Sequence, residues 1–226
     1  MKHLFVVYGS ETKLLKGIFN FDDSYFLRIF NSNTPKKQDN ALDLNSIDDF
    51  KSVFKSKLKE LKPKRIVFIG AAFVSQNNLL LKEKEKNLQK MVNVNILNYV
   101  ELCHFILPFM VKLKSGYFIY LSSFRSTNTS RGTSIYSASK AFGEKFFEVI
   151  GKENGIFGVY STSIRMGYFD SRMTKNLGTE KSKEFILAIG NRRLGLDSDL
   201  IETIKYVLNN QYTNGGVIEL TGGISY

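Results

Sequence analysis

Short, continuously apolar runs alternate with longer amphipathic stretches along this chain, and that alternation limits the fold more than any other feature. The runs are Leu4–Tyr8, Tyr25–Phe30, Arg65–Gly70, Tyr117–Leu121, Gly158–Ile164 and Val217–Leu220, each rich in apolar or β-branched residues. A strand with one wet face alternates apolar and polar residues, whereas a continuous run needs cover on both faces, as in a parallel sheet. Between the runs, Ser46–Leu61, Leu79–Leu113 (in two pieces), Ser134–Lys152, Lys181–Ile189 and Asp199–Asn209 read as helices. Asn45-Ser46-Ile47-Asp48-Asp49 supplies a cap and first-turn acids for the first of them. Parallel neighbours need crossover connections, usually helical. The expected fold is therefore α/β, a doubly wound parallel sheet with helices on both faces. The polar loops Pro35–Asn40 and Thr127–Gly132 are too short to link domains and no repeat is visible, so residues 1–226 read as a single domain.

A chain of 226 residues can bury a full core. Cys103 is the sole cysteine, which fits core packing and a reducing, cytoplasmic setting. With it, His3 and His104 cannot make a zinc cluster, and no metal is expected. The run His104–Val111 is broken by Pro108 and falls short of the ~18 residues of a membrane span, so no membrane partner is expected. Met1–Val7 reads as a first buried strand rather than a secretion signal. The net charge is +11, and Lys51, Lys55, Lys59 and Lys62 recur at helical spacing. A solvated helix face explains them, and attraction of an anion is the alternative. No nucleic-acid motif accompanies the lysines, and no nucleic-acid partner is expected.

Tyr136 and Lys140 lie four apart in Tyr136-Ser137-Ala138-Ser139-Lys140, on one face of a predicted helix. An ammonium beside a phenol favours the phenolate, which makes the pair a candidate general acid/base. In a chain with 11 tyrosines and many lysines such a pair also arises by chance. Position in the sequence strengthens it. Upstream, the run Gly116–Ser123 is a predicted strand emptying into a polar loop at Ser122-Ser123, and ligands of open parallel sheets bind at the carboxyl ends of strands. A serine hydroxyl there can donate to a carbonyl oxygen as charge builds on it.

Val94-Asn95-Ile96, Leu107-Pro108-Phe109-Met110, Ser122-Ser123 and Tyr136-Ser137-Ala138-Ser139-Lys140, in this order and spacing, resemble the catalytic half of the short-chain dehydrogenase/reductase family. The resemblance implies a Rossmann fold and an NAD(P)-dependent oxidoreductase of carbonyl reductase type, interconverting a carbonyl and an alcohol. Its tetrad would be Asn95 in a proton relay, Ser123 on the substrate carbonyl, Tyr136 as acid/base, and Lys140 on both the phenol and the nicotinamide ribose. Ile164–Met173 resembles the loop that holds the nicotinamide, with Gly167 and Ser171 as cofactor contacts and Met166 where proline is usual. Residues of about 170–190 would form a small substrate lid, and a homo-dimer or homo-tetramer is implied through the helices bearing Asn95 and Tyr136.

The cofactor half departs from the family. Tyr8-Gly9-Ser10-Glu11-Thr12-Lys13-Leu14-Leu15 keeps the first glycine only, with Lys13 and Leu15 at the other two glycine positions, where a side chain would crowd phosphates. Gly9, Ser10, Lys13, Asn31, Asp43, Leu44 and Ala71 are the expected contacts of this half, beside Tyr136 and Lys140. No acid follows the second strand at Asn31-Ser32-Asn33, and Lys36 and Lys37 lie close by, so the reading leans to NADP(H) over NAD(H). The eroded turn keeps an alternative open, a binding or regulatory protein on the same fold with weakened cofactor binding. Lys112, Lys114 and Arg125 flank the site strand and would suit an acidic carrier protein or simply solvate the surface.

Overall fold

The computed structural model describes residues 3–9, 13–29, 41–44, 46–74, 78–170 and 184–224. Seven parallel strands form one sheet, β1 (His3–Tyr8), β2 (Ser24–Ile29), β3 (Ala41–Leu44), β4 (Arg65–Gly70), β5 (Gly116–Ser123), β6 (Val159–Met166) and β7 (Gly216–Leu220), in the order β3-β2-β1-β4-β5-β6-β7. The order reverses between β1 and β4, as in a doubly wound Rossmann sheet. The longer helices of the described residues are α1 (Ile47–Leu61), α2 (Glu85–Val92), α3 (Asn98–Leu113), α4 (Ser134–Asn154) and α5 (Asp197–Asn209), and a 3-10 helix, Lys13–Asn20, follows β1.

The continuous apolar runs have a simple cause. Along β1, Leu4, Val6 and Tyr8 enter one core with Phe50 and Phe54 of α1, Leu102 and Ile106 of α3, and Phe147 of α4. Phe5 and Val7 enter the other, with Leu15 and Ile18 of the 3-10 helix and Leu200, Ile204 and Val207 of α5. Alternate residues point to opposite faces, so a strand covered on both sides must be apolar throughout. Ser46 caps α1, its Oγ accepting from the Asp49 amide at 3.0 Å. Lys51 bridges to Glu101 of α3, and Lys62 is the left-handed cap residue past the helix end, so the lysine stripe is shorter than its spacing suggests.

Three expectations need correction. β3 went unforeseen, since Ala41–Leu44 is four residues long and carries a charge at Asp43. β7 is an edge strand and largely exposed, with Val217 38% exposed, rather than covered on both faces. Glu85–Leu113 runs as one helix in which Pro108 causes no break, because Pro108 and His104, whose carbonyl it frees, face solvent. An 18-residue window of it has mean hydropathy 1.5, enough by length and composition to cross a membrane. Its Tyr99, Leu102, Cys103, Ile106 and Met110 are buried, as in a helix packed on a sheet, and burial pushes the Cys103 thiol up.

Gly9 ends β1 at φ +85°, where an added Cβ would lie 2.3 Å from the backbone N and Cα of Ala72. Left-handed backbone and a backbone clash act together, so Gly9→Ala is expected to destabilise by about 2–4 kcal/mol. A lowered urea midpoint at unchanged slope measures this, and an unchanged midpoint would mean that the β4 loop yields freely.

Candidate active site

The site is built where β5 ends. Ser123, 9% exposed, begins a 3-10 turn, Phe124–Ser126, and its Oγ accepts from the Arg125 amide at 3.2 Å. That leaves the Ser123 hydroxyl its proton, and the hydroxyl faces the Tyr136 phenol. Tyr136, Lys140 and Glu144 stand at successive turns along one face of α4. Burial raises the Tyr136 phenol above its ordinary value, while the Ser123 hydroxyl and the Arg125 charge pull it back.

Lys140 is 2% exposed, and its Nζ donates to the Leu121 carbonyl at 2.8 Å. The ammonium lies 5.2 Å from the Phe73 ring centroid, 5.0 Å from that of Tyr120 and 6.0 Å from that of Tyr136. Burial lowers it to about 7, against the opposing charge of Glu144. The spacing suggests that Lys140 is what lowers the Tyr136 phenol. The Lys140 Nζ lies 6.0 Å from the Tyr136 ring centroid and donates to the Leu121 carbonyl, while Ser123 and Arg125 also draw the phenol down.

Asn95 is 1% exposed in a π-turn, Asn93–Leu97, between α2 and α3. Its Oδ1 accepts from the Val74 amide at 2.7 Å, and its Nδ2 donates to the Val74 carbonyl at 3.0 Å and Ser139 Oγ at 3.1 Å. Ser139 Oγ in turn donates to the Tyr136 carbonyl at 2.8 Å. The side chain thus ties the loop after β4 to the turn of α4 that carries Tyr136. A shallow, open depression lined by Leu80, Glu83, Met91, Thr133 and Tyr136 among others lies beside the site.

Beneath the site lies an ionic network that sequence reasoning missed. Arg165 of β6 donates Nε to Glu144 Oε1 at 3.0 Å and Nη2 to Oε2 at 2.8 Å, a bidentate pair, and its Nη1 bonds Glu219. Ser126 Oγ donates to Glu144 Oε1 at 2.7 Å, which fixes the turn after Ser123. Burial alone would raise the Glu144 carboxyl, but the hydrogen bonds from Arg165 and Ser126 outweigh it and hold it below the usual value. Continuing the four-residue step from Tyr136 through Lys140 would have found Glu144; nothing in the sequence joins it to Arg165.

The expected cofactor positions divide. Gly9 and Ala71 lie side by side where the sheet order reverses, the Ala71 amide donating to the Tyr8 carbonyl at 2.8 Å. The Gly167 amide donates to the Leu220 carbonyl at 2.9 Å, and a Cβ at Gly167 would meet Thr221 Cα at 2.8 Å. Ser10, Asn31 and Ser171 lie outside the described residues, as do Lys36, Lys37 and most of the expected lid, residues 171–183. For Lys13, Asp43 and Leu44 the backbone alone is described. Leu15 corrects an expectation, since its side chain is fully buried in the second core and so points away from any phosphate.

Comparison with known proteins agrees with this fold. The 3-oxoacyl-acyl-carrier-protein reductase FabG of Chlamydia trachomatis is 25% identical over 161 residues, covering 70% of this chain and 65% of the relative. The reductase of that name from Bos taurus is 26% identical over 156 residues, covering 69% of this chain and 65% of the relative. The match thus spans just under two thirds of the length of these relatives. Among solved structures, ElxO with NADP bound superposes with a TM-score of 0.86 at 17% identity over 98% of both chains. A 4-hydroxyisoleucine dehydrogenase complexed with NADH gives 0.82 at 16% identity over 98% of both, and at such identities the likeness is one of fold. The sequence profile of the short chain dehydrogenases matches residues 33–182, two thirds of the chain and nearly all of the site, so the chain belongs to the short-chain dehydrogenase family.

Proposed function

We propose that this protein is an oxidoreductase that interconverts a carbonyl and an alcohol with a nicotinamide cofactor. The convergence of Ser123, Tyr136 and Lys140 at the carboxyl end of β5 carries the reading. Lys140 also tests whether the cofactor fits. It is a buried ammonium whose only hydrogen bond among the described residues is to the Leu121 carbonyl, and it keeps donors for hydroxyls such as those of a ribose. When bound, the nicotinamide supplies or accepts the hydride at the carbonyl carbon. Ser123, with one lone pair of its Oγ engaged by the Arg125 amide, donates to the substrate oxygen and orients it. Tyr136 gives its proton to that oxygen in reduction and takes it back in oxidation. Asn95 acts through Ser139, holding the Tyr136 turn in place. NADP bound to ElxO and NADH bound to the 4-hydroxyisoleucine dehydrogenase support a nicotinamide cofactor, and the lean to NADP(H) rests on the missing acid after the second strand.

Ala138, Ala141 and Val149 are exposed on α4, beside a stacked and partly exposed pair, Phe142 and Phe146. A homo-dimer or homo-tetramer through this face completes the reading.

The altered turn after β1 favours a second reading, in which the protein binds a partner and has lost the cofactor. Titration with NADPH and with NADH, followed by nicotinamide fluorescence, separates the two. Micromolar binding of NADPH is expected. No binding of either by folded protein would overturn the enzyme reading.

A further inference from the structure

Two arginines stand near the carboxyl ends of the central strands, and their surroundings differ. Arg165 is neutralised by the Glu144 and Glu219 carboxylates. Arg125, two residues past Ser123, is partly buried, and no carboxylate lies within salt-bridge distance of it among the described residues. Its guanidinium is held in place all the same. The Cζ atom lies 4.6 Å from the Phe124 ring centroid, and Nη2 donates to the Tyr168 hydroxyl at 3.3 Å. Tyr168 is braced in turn, stacked on Phe185 at 4.2 Å and edge-on to Phe124 at 5.0 Å. The charge is close enough to Tyr136 to favour the phenolate.

A partly desolvated guanidinium, fixed by aromatic neighbours and with no counterion among the described residues, is poised for an anion. Its flat fork matches a carboxylate, and it flanks the place where Ser123 and Tyr136 would take a carbonyl oxygen. We infer that Arg125 is a specificity residue that recognises a carboxylate on the substrate, so that the protein acts on oxo or hydroxy acids in preference to neutral carbonyl compounds. This deepens the proposed oxidoreductase reading and rests on it for turnover, but the anion site itself can be tested without turnover.

The test pairs acetoacetate with methyl acetoacetate, two carbonyl compounds that differ in the charge. Calorimetry on the protein without cofactor, comparing wild type, Arg125→Gln and Arg125→Lys, reads the site directly. Wild type is expected to bind the acid at least about 10-fold more tightly than the ester, the scale of a hydrogen-bonded charge pair. Arg125→Gln should abolish that preference, and Arg125→Lys, which keeps the charge but loses the fork, should retain part of it. Equal binding of acid and ester, failure of wild type to bind the acid, or a preference untouched in folded Arg125→Gln would each overturn the inference. Reduction of both compounds with NADPH is measured beside it. A preference in binding with no turnover of either compound would support the anion site and count against the oxidoreductase reading. Equal turnover of the two would do the reverse.

Discussion

Tyr136→Phe is expected to lower kcat/KM for carbonyl reduction by about 10³-fold, within the ~10²–10⁴ contributed by general acid/base residues, with NADPH affinity little changed. Phenylalanine keeps the ring that packs 6.0 Å from Phe73 and removes only the hydroxyl. Ser123 then remains as a hydrogen-bond donor to the oxygen, but no group at that position gives up a proton. Steady-state rates with a reducible carbonyl compound, alongside fluorescence titration of NADPH, separate chemistry from binding. Loss of affinity to match the loss of rate would move Tyr136 from proton transfer to cofactor binding. A rate close to wild type would remove it from the mechanism, and a protein that serves by binding alone would keep its role in this variant.

Lys140→Met should abolish activity and yet be the more stable protein at neutral pH. The ammonium is buried and lowered to about 7, far from the 10.5 it has in an open chain. Between those values the unfolded chain binds more protons than the folded one, so wild-type stability rises with pH across this window. The burial cost is fully present below pH 7 and gone above about 10.5. Lys140→Met lacks this dependence, and the gap between the two proteins should shift in favour of wild type by about 2 kcal/mol from pH 7 to pH 9. Methionine leaves the Leu121 carbonyl without its donor, which takes back part of the gain. Chemical unfolding of both proteins at the two pH values measures the difference. Parallel pH profiles would show that Lys140 stays charged in the fold, matched by a group other than Leu121.

The sheet was legible because strands covered on both faces read as continuous runs of apolar or β-branched residues, and β7 read the same way although it is an exposed edge. β3 did not, since it is short, and the sequence singles out only Asp43 there. The candidate site was legible where it follows from local spacing. Tyr136 and Lys140 need only one turn of helix between them, and Ser123 needs only the end of a strand. What depends on the pairing of distant segments was hidden. Arg165 meets Glu144 because β6 lies beside β5 under α4, and neither residue carries a local sign of the other. Arg125 was visible as a charge near the site, but that no described carboxylate pairs with it is a property of the packed structure. Leu15 was misread for a related reason. A helix of 3-10 form after β1 turns that side chain into the core, and the family's glycine pattern presumes a different helix.

The π-turn at Asn93–Leu97 sets a requirement on residue number as well as residue type. Because such a turn closes its hydrogen bonds one residue later than an α-helix, α2 and α3 are out of phase by one position, about 100° of rotation. Both helices nevertheless bury residues against the rest of the fold, and Asn95 sits in the stretch that absorbs the offset. Deleting one residue there would let the segment close as a regular helix, but the two halves would then no longer face the same way. Asn95 would swing off Val74 and Ser139 with every side chain otherwise intact. The length of this stretch is therefore as much a part of the candidate site as the residues within it.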